Sequence, residues 1–225
     1  MAEMFDRVAP RYDRLNRILS TGRDVGWRRR AAALARMGPG EIALDVGVGT
    51  GDLAFGLLDE SDPSVRVVGV DLSRLMIDAV RRRAAARLDP RLAPLLASAA
   101  ALPFPDASFD RVVAGFTVRN FGDLSLGLRE MRRVLRVGGR AVILEFSTPP
   151  SAFVGIGYRL YLHRLVPLIA SLLGGDAAAY RYLPLSVAAF PDANGLAERM
   201  RDAGFARVRY ERLTFGVAAI HVGEA

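Results

Sequence analysis

Two carboxylates bracket a glycine-rich turn. Asp45 stands two residues ahead of Gly47-Val48-Gly49-Thr50-Gly51, and Asp71 ends the next apolar run, Val67-Val68-Gly69-Val70. A carboxylate closing a second strand can accept both hydroxyls of a ribose, and a glycine turn lets a ligand approach the backbone. The chemistry indicated is the binding of an adenosine group. Gly47 and Gly49 fill the first two places of the dinucleotide pattern GxGxxG, but Asp52 fills the third. Carboxylates beside the loop repel a pyrophosphate and attract a sulfonium and an ammonium. The turn therefore favours S-adenosylmethionine over NAD. The plainer alternative is a tight strand-to-helix connection that binds nothing.

The elements that must position these residues follow from periodicity. Strand-like runs occupy 42–46, 66–71, 93–97, 109–116 and 140–146, and helical patterns fill 51–60, 73–88 and 123–136, the last expected to stop at Gly138-Gly139. A helix near 193–203 precedes the runs 206–213 and 217–222, which Thr214-Phe215-Gly216 would join as an antiparallel hairpin. Alternation of this kind predicts an α/β, Rossmann-like fold: a seven-stranded, mostly parallel sheet with helices on both faces. The chain reads as a single domain, 1–225. Residues 1–40 form a helical cap, with Phe5, Val8, Tyr12, Leu15 and Leu19 at helical spacing.

Residues 149–191 exceed what the alternating pattern requires and read as an insertion. Leu162, Leu165, Ile169 and Leu172 are spaced for a helix packed on the core; the sharper alternative is an apolar lid over the site. Arg159, His163 and Arg164 interrupt this stretch, so it offers no membrane span.

Composition narrows the class. The 225 residues contain no cysteine, and all 31 basic residues are arginine, giving a net charge of +7. No thiolate metal site and no disulfide is expected, and the absence of an apolar leader fits a cytoplasmic protein. Arg28-Arg29-Arg30, Arg81-Arg82-Arg83 and Arg132-Arg133 fan out around a helix instead of forming a stripe. They read as solvated faces, with no nucleic-acid partner. Attraction to an anionic membrane surface at the inner face of the cell membrane stays open, as does a homodimer.

Further segments carry a family likeness. These are Phe5-Asp6-Arg7-Val8-Ala9-Pro10-Arg11-Tyr12-Asp13, the Gly49-Thr50-Gly51-Asp52 turn, Ala101-Leu102-Pro103-Phe104-Pro105-Asp106, Val118-Arg119-Asn120-Phe121 and Leu144-Glu145-Phe146-Ser147. With Arg133 to Gly139, Gly175-Asp176, Tyr180-Arg181-Tyr182-Leu183 and Phe190-Pro191-Asp192, they make the chain resemble the ubiquinone/menaquinone biosynthesis C-methyltransferase family over nearly its whole length. The resemblance implies a class I methyltransferase fold and S-adenosylmethionine-dependent C-methylation of a lipid-tailed quinol. Demethylmenaquinol is the first choice, and a methoxy-polyprenyl benzoquinol of ubiquinone synthesis is the alternative.

By matching position, the resemblance implies cofactor contacts at Thr50, Asp71, Ser98, Ala99 and Gly115. Ser98 stands where the family often carries Asn or Asp, Ala100 where it often carries Glu, and Gly115 where serine is frequent. Arg119 is implied as the cation that stabilises the quinolate formed when the acceptor loses its proton, and either a water held by Arg119 and Asn120 or the phenol of Tyr12 would relay that proton. The alternative for Arg119 is a helix cap or an ion pair with a carboxylate. His163 and His221 titrate in the right range for a base, but a packed histidine is the better reading of His221 in a terminal strand. Tyr12, Tyr158, Tyr161 and Tyr180 are candidates for stacking on a quinone, with packing as the default. Outside this family, an NAD-dependent dehydrogenase and a noncatalytic cofactor-binding or RNA-associated protein are the rival readings.

Overall fold

The computed structural model describes residues 20, 22–161, 164 and 185–225. Tyr12, His163, Tyr180, the specific N-terminal motif and most of the 149–191 segment lie outside the described residues.

Seven strands form one sheet in the order β3-β2-β1-β4-β5-β7-β6. They are β1 (Ile42–Val46), β2 (Arg66–Asp71), β3 (Leu92–Leu96), β4 (Phe109–Gly115), β5 (Leu135–Phe146), β6 (Ala206–Leu213) and β7 (Ala218–Glu224). The first five run parallel, and β7 inserts antiparallel between β5 and β6. This is the expected sheet, hairpin included. The chain runs outward one way from β1 and the other way from β4, so the carboxyl ends of these neighbours diverge into a crevice.

The helices are α1 (Arg23–Ala35), α2 (Asp52–Asp59), α3 (Arg74–Arg87), α4 (Leu124–Arg133), α5 (Ala152–Leu160) and α6 (Ala193–Asp202). Short polar side chains start three of them. Met76 N–H donates to Ser73 Oγ at 3.2 Å, Leu126 N–H to Asp123 Oδ1 at 2.9 Å, and Gly195 N–H to Asp192 Oδ1 at 2.9 Å. Each bond satisfies an N–H that the helix itself cannot pair.

Two apolar layers sandwich the sheet. One joins α1 and α2 through Trp27, Ala31, Leu53, Phe55 and Leu57; the other gathers Leu44, Val112, Leu128, Met131, Leu196 and Met200. Alternate residues of β1 feed opposite layers, Ala43 the first and Leu44 the second, as the two-residue strand period requires. Fully burying one such leucine is worth about 1.5–3 kcal/mol, which fixes the strand register. Among the described residues no helix is long and apolar enough to cross a membrane.

Several bounds shift by a residue or two, and the largest difference lies between α4 and β5. Helix α4 ends at Arg133, not at 136, and Gly138-Gly139 do not cap it: Leu135 already pairs with Phe109, and Arg140 resumes the pairing opposite Arg111. Residues between them bulge out of the ladder. Gly138 takes φ +75°, and a Cβ on Gly139 would lie 2.8 Å from Arg136 O and 2.9 Å from Asp110 O. The glycine pair is a bulge inside a strand, where the same residue types that stop helices are also needed.

Candidate active site

The cleft opens at the carboxyl ends of β1, β2 and β4, and its walls include Asp45, Gly47, Gly49, Thr50, Asp71, Ser98, Ala99, Gly115 and Asn120. All eight expected cofactor-contact residues thus share one cavity of about 1080 Å³, counting its open mouth.

The glycine turn is fixed by the residues around it. Gly47 and Val48 N–H both donate to Val70 O, at 2.8 and 2.9 Å, which ties the loop to the end of β2. Gly47 has φ +76°, and a Cβ there would lie 2.1 Å from Thr117 Oγ1, so no larger residue fits. Asp71 completes the clamp: Gly49 N–H donates to its Oδ2 at 3.0 Å and Ser73 N–H to its Oδ1 at 2.9 Å. Asp71 ends β2 and lines the cleft, the place from which a carboxylate reaches ribose hydroxyls. Asp52, in the third place of the dinucleotide pattern, accepts from Arg83 Nη1 at 2.6 Å.

Asp45 differs from all of these. It is 1% exposed, and among the described residues no donor meets either carboxylate oxygen in hydrogen-bond geometry. Burial, with the nearby Asp71 charge adding to it, pushes its pKa up to about 7; the Arg28 charge and the Ala54 amide hold the shift back. A buried carboxylate with two unmet oxygens on the wall of a cleft is costly unless a cationic ligand meets it.

On the β3 side of the cleft, the Ser98 hydroxyl accepts from Ala100 N–H at 3.2 Å, which folds the loop after β3 back on itself. A serine hydroxyl that accepts one bond can still donate its own O–H. A Cβ on Gly115 would lie 3.2 Å from Leu53 Cδ2, so this position contributes backbone alone.

The expected catalytic residues separate. Asn120, at the end of the 3₁₀ turn Val118–Asn120, lines the cleft. Arg119 is not among the cleft walls: its Nη1 donates to Glu145 Oε1 at 2.7 Å and to Phe116 O at 2.6 Å, and its side chain is 6% exposed. The carboxylate-paired alternative describes its position. Tyr158 sits close enough to feel both charges, and burial pushes its phenol well up, so it stays protonated. His221 is packed: Nε2–H donates to Ala193 O at 2.8 Å, and burial lowers its pKa to about 4.

The chain matches the model of the ubiE/COQ5 methyltransferase family over residues 1–225. It is 51% identical to the demethylmenaquinone methyltransferase of Thermus thermophilus, across 98% of this chain and 99% of that one. It is 44% identical to the ubiquinone/menaquinone biosynthesis C-methyltransferase UbiE of Geobacter sulfurreducens, across 99% and 87% of the two. The chain belongs to the ubiE/COQ5 methyltransferase family.

A SAM-dependent methyltransferase structure from Thermotoga maritima matches it with a TM-score of 0.70 at 21% identity, covering 100% of this chain and 99% of that one, and this likeness speaks for the fold. The methyl donor of a ubiE/COQ5 enzyme, S-adenosylmethionine, fits the cleft of this one. Asp45 lacks the partner an ammonium supplies, and three acidic walls, Asp45, Asp52 and Asp71, suit a ligand without phosphate.

For this ubiE/COQ5 enzyme the sequence reading missed Arg28 and Glu145. Arg28 was expected on a solvated face, yet it is only 9% exposed and lines the cleft. The signal was available: positions 24, 27, 28, 31, 32 and 35 form one stripe of α1, and all six are buried. Glu145 carried no such local signal, because its partner lies 26 residues away across β4 and β5.

Proposed function

We propose that the protein transfers a methyl group from S-adenosylmethionine to a ring carbon of a lipid-tailed quinol, demethylmenaquinol by first choice. The observation that carries the donor half is the buried, unpartnered Asp45 carboxylate on the cleft wall. The acceptor half rests on the named relatives, one of which acts on demethylmenaquinone and spans nearly the same length. Because the Geobacter relative is named for both quinones, a methoxy-polyprenyl benzoquinol is the second reading.

When bound, S-adenosylmethionine supplies an electrophilic methyl group on a sulfonium. The protein supplies placement. Asp45 receives the ammonium, Asp71 the ribose hydroxyls, and Ser98 with Ala99 the edge of the adenine, while Thr50 and Gly115 shape the walls between. Asn120, Phe116, Thr117 and Phe121 border the same cleft and form the acceptor side. A quinol hydroxyl has a pKa near that of tyrosine, about 10, so the ring becomes a strong nucleophile only as that proton leaves. A water held at Asn120, or else the Tyr12 phenol, relays the proton. Arg119 acts from behind: Glu145 neutralises its charge, and the pair holds the 3₁₀ turn that presents Asn120.

The proposal includes a single domain whose 149–191 segment covers the acceptor side, and peripheral contact with a membrane surface. Phe153, Ile156 and Leu160 are exposed along one face of α5, and each buried methylene of a polyprenyl tail adds about 0.8 kcal/mol of lipid affinity.

The test is incubation with methyl-labelled donor and either a short-tailed demethylmenaquinol or the methoxy benzoquinol. Label in the first product supports the first choice, label in the second alone supports the alternative, and label in neither contradicts both.

A further inference from the structure

An amino-acid arm carries an ammonium and a carboxylate on one carbon, so a site that accepts it needs an anion and a cation side by side. The cleft has three acidic walls, Asp45, Asp52 and Asp71, but among the described residues its only basic wall is Arg28. That guanidinium lies close enough to Asp45 to oppose its rise in pKa.

Arg28 is held in place from one side. Its Nη1 donates to Asp24, four residues earlier on α1, and lies 3.9 Å from Asp52 Oδ2. Asp24 is in turn fixed by the Ser20 hydroxyl, which donates to its Oδ1 at 2.6 Å. The guanidinium carbon lies 5.2 Å from the centroid of the Phe116 ring, itself a wall of the cleft. The contacts use Nη1 alone. Nε and Nη2, whose N–H groups complete the fork that matches a carboxylate, have no hydrogen-bond partner among the described residues.

We propose that Arg28 binds the carboxylate of the donor's amino-acid arm while Asp45 binds its ammonium, so that the cleft selects donors carrying both groups. This rests on reading the cleft as the S-adenosylmethionine site. Holding the arm at both charges also fixes how far the sulfonium projects toward the acceptor side, a matter of placement to within an ångström or so.

Calorimetric titration of the full chain with S-adenosylmethionine and with its decarboxylated analogue tests the assignment. The unmodified protein is expected to prefer the complete donor by about 10- to 100-fold, the size of one charge-assisted contact. Arg28→Gln should abolish that preference, weakening the complete donor by the same factor and the analogue by less than about threefold. Because Arg28→Gln strands the buried Asp24 carboxylate, the double variant Arg28→Gln/Asp24→Asn repeats the measurement without that penalty. Equal weakening of both ligands in the double variant, loss of all binding, or a preference that survives there would overturn the assignment. Failure of the unmodified protein to bind either ligand would instead overturn the reading of the cleft itself.

Discussion

Asp45 and Glu145 are both 1% exposed, and both lie toward the carboxyl ends of strands that flank β4. Their surroundings are opposite. Glu145 is met by Arg119 Nη1 at 2.7 Å, by the Arg119 N–H at 3.3 Å and by the Phe146 N–H at 2.8 Å. Among the described residues no donor meets Asp45 in hydrogen-bond geometry, and the Ala54 amide acts on it only from longer range. Burial alone therefore does not mark a functional carboxylate. Glu145 completes a turn of the scaffold, whereas Asp45 has the surroundings the proposed ammonium contact requires.

The largest expected effect lies on the scaffold side. Glu145→Gln strands a buried guanidinium, so the denaturant midpoint should fall by the equivalent of about 3 kcal/mol, with donor affinity in the surviving folded protein changed little. A stable Glu145→Gln protein would erase the contrast. Asp45→Asn should do the reverse: donor affinity falls by about 100-fold, while stability at neutral pH holds or rises, because a buried charge without a partner has been removed.

Acidity sharpens the contrast further. His221 has its folded pKa near 4 against 6.5 in the open chain, so its contribution is complete above pH 6.5 and is lost as pH falls toward 4, about 3 kcal/mol in all. Asp45 works with the opposite sign. Its folded pKa of about 7 exceeds 3.8, so its protonated form stabilises the fold at low pH, and that contribution is lost as pH rises from 3.8 to 7. In the unmodified protein these two dependences should largely offset each other across this window. Asp45→Asn should expose the uncompensated acid loss of His221, and an unchanged profile would show that Asp45 titrates normally.

A smaller effect, per pH unit, is expected on binding. Donor affinity should fall up to about tenfold for each unit below pH 7, because a protonated Asp45 must ionise to meet the ammonium. Above pH 7 this dependence should vanish, and Asp45→Asn should abolish it throughout.

Much of this was legible in the sequence. The apolar runs at 42–46 and 66–71 are strands with those bounds, because parallel strands buried on both faces read as continuous apolar stretches. Asp45 and Asp71 were readable as site residues because their position relative to the glycine turn is local. What was not legible depends on distant neighbours. The sequence favours Arg119 as a cation facing the acceptor, and only the fold shows that Glu145, 26 residues on, stands beside it. Gly138-Gly139 were misread because a bulge and a helix stop draw on the same residue, and only the pairing of Leu135 with Phe109 separates them. Arg28 was misjudged because a run of three arginines suggests water, although the stripe it occupies on α1 faces inward.

The central claim is that the bare Asp45 carboxylate is the anchor for the donor's ammonium. Titrating S-adenosylmethionine into the protein at pH 6, in two buffers of different ionisation heat, counts the protons exchanged on binding. With Asp45 at about 7 in the free protein, close to one proton per donor should be released, and none by Asp45→Asn. Binding without proton release, or with the same affinity in Asp45→Asn, would contradict the account.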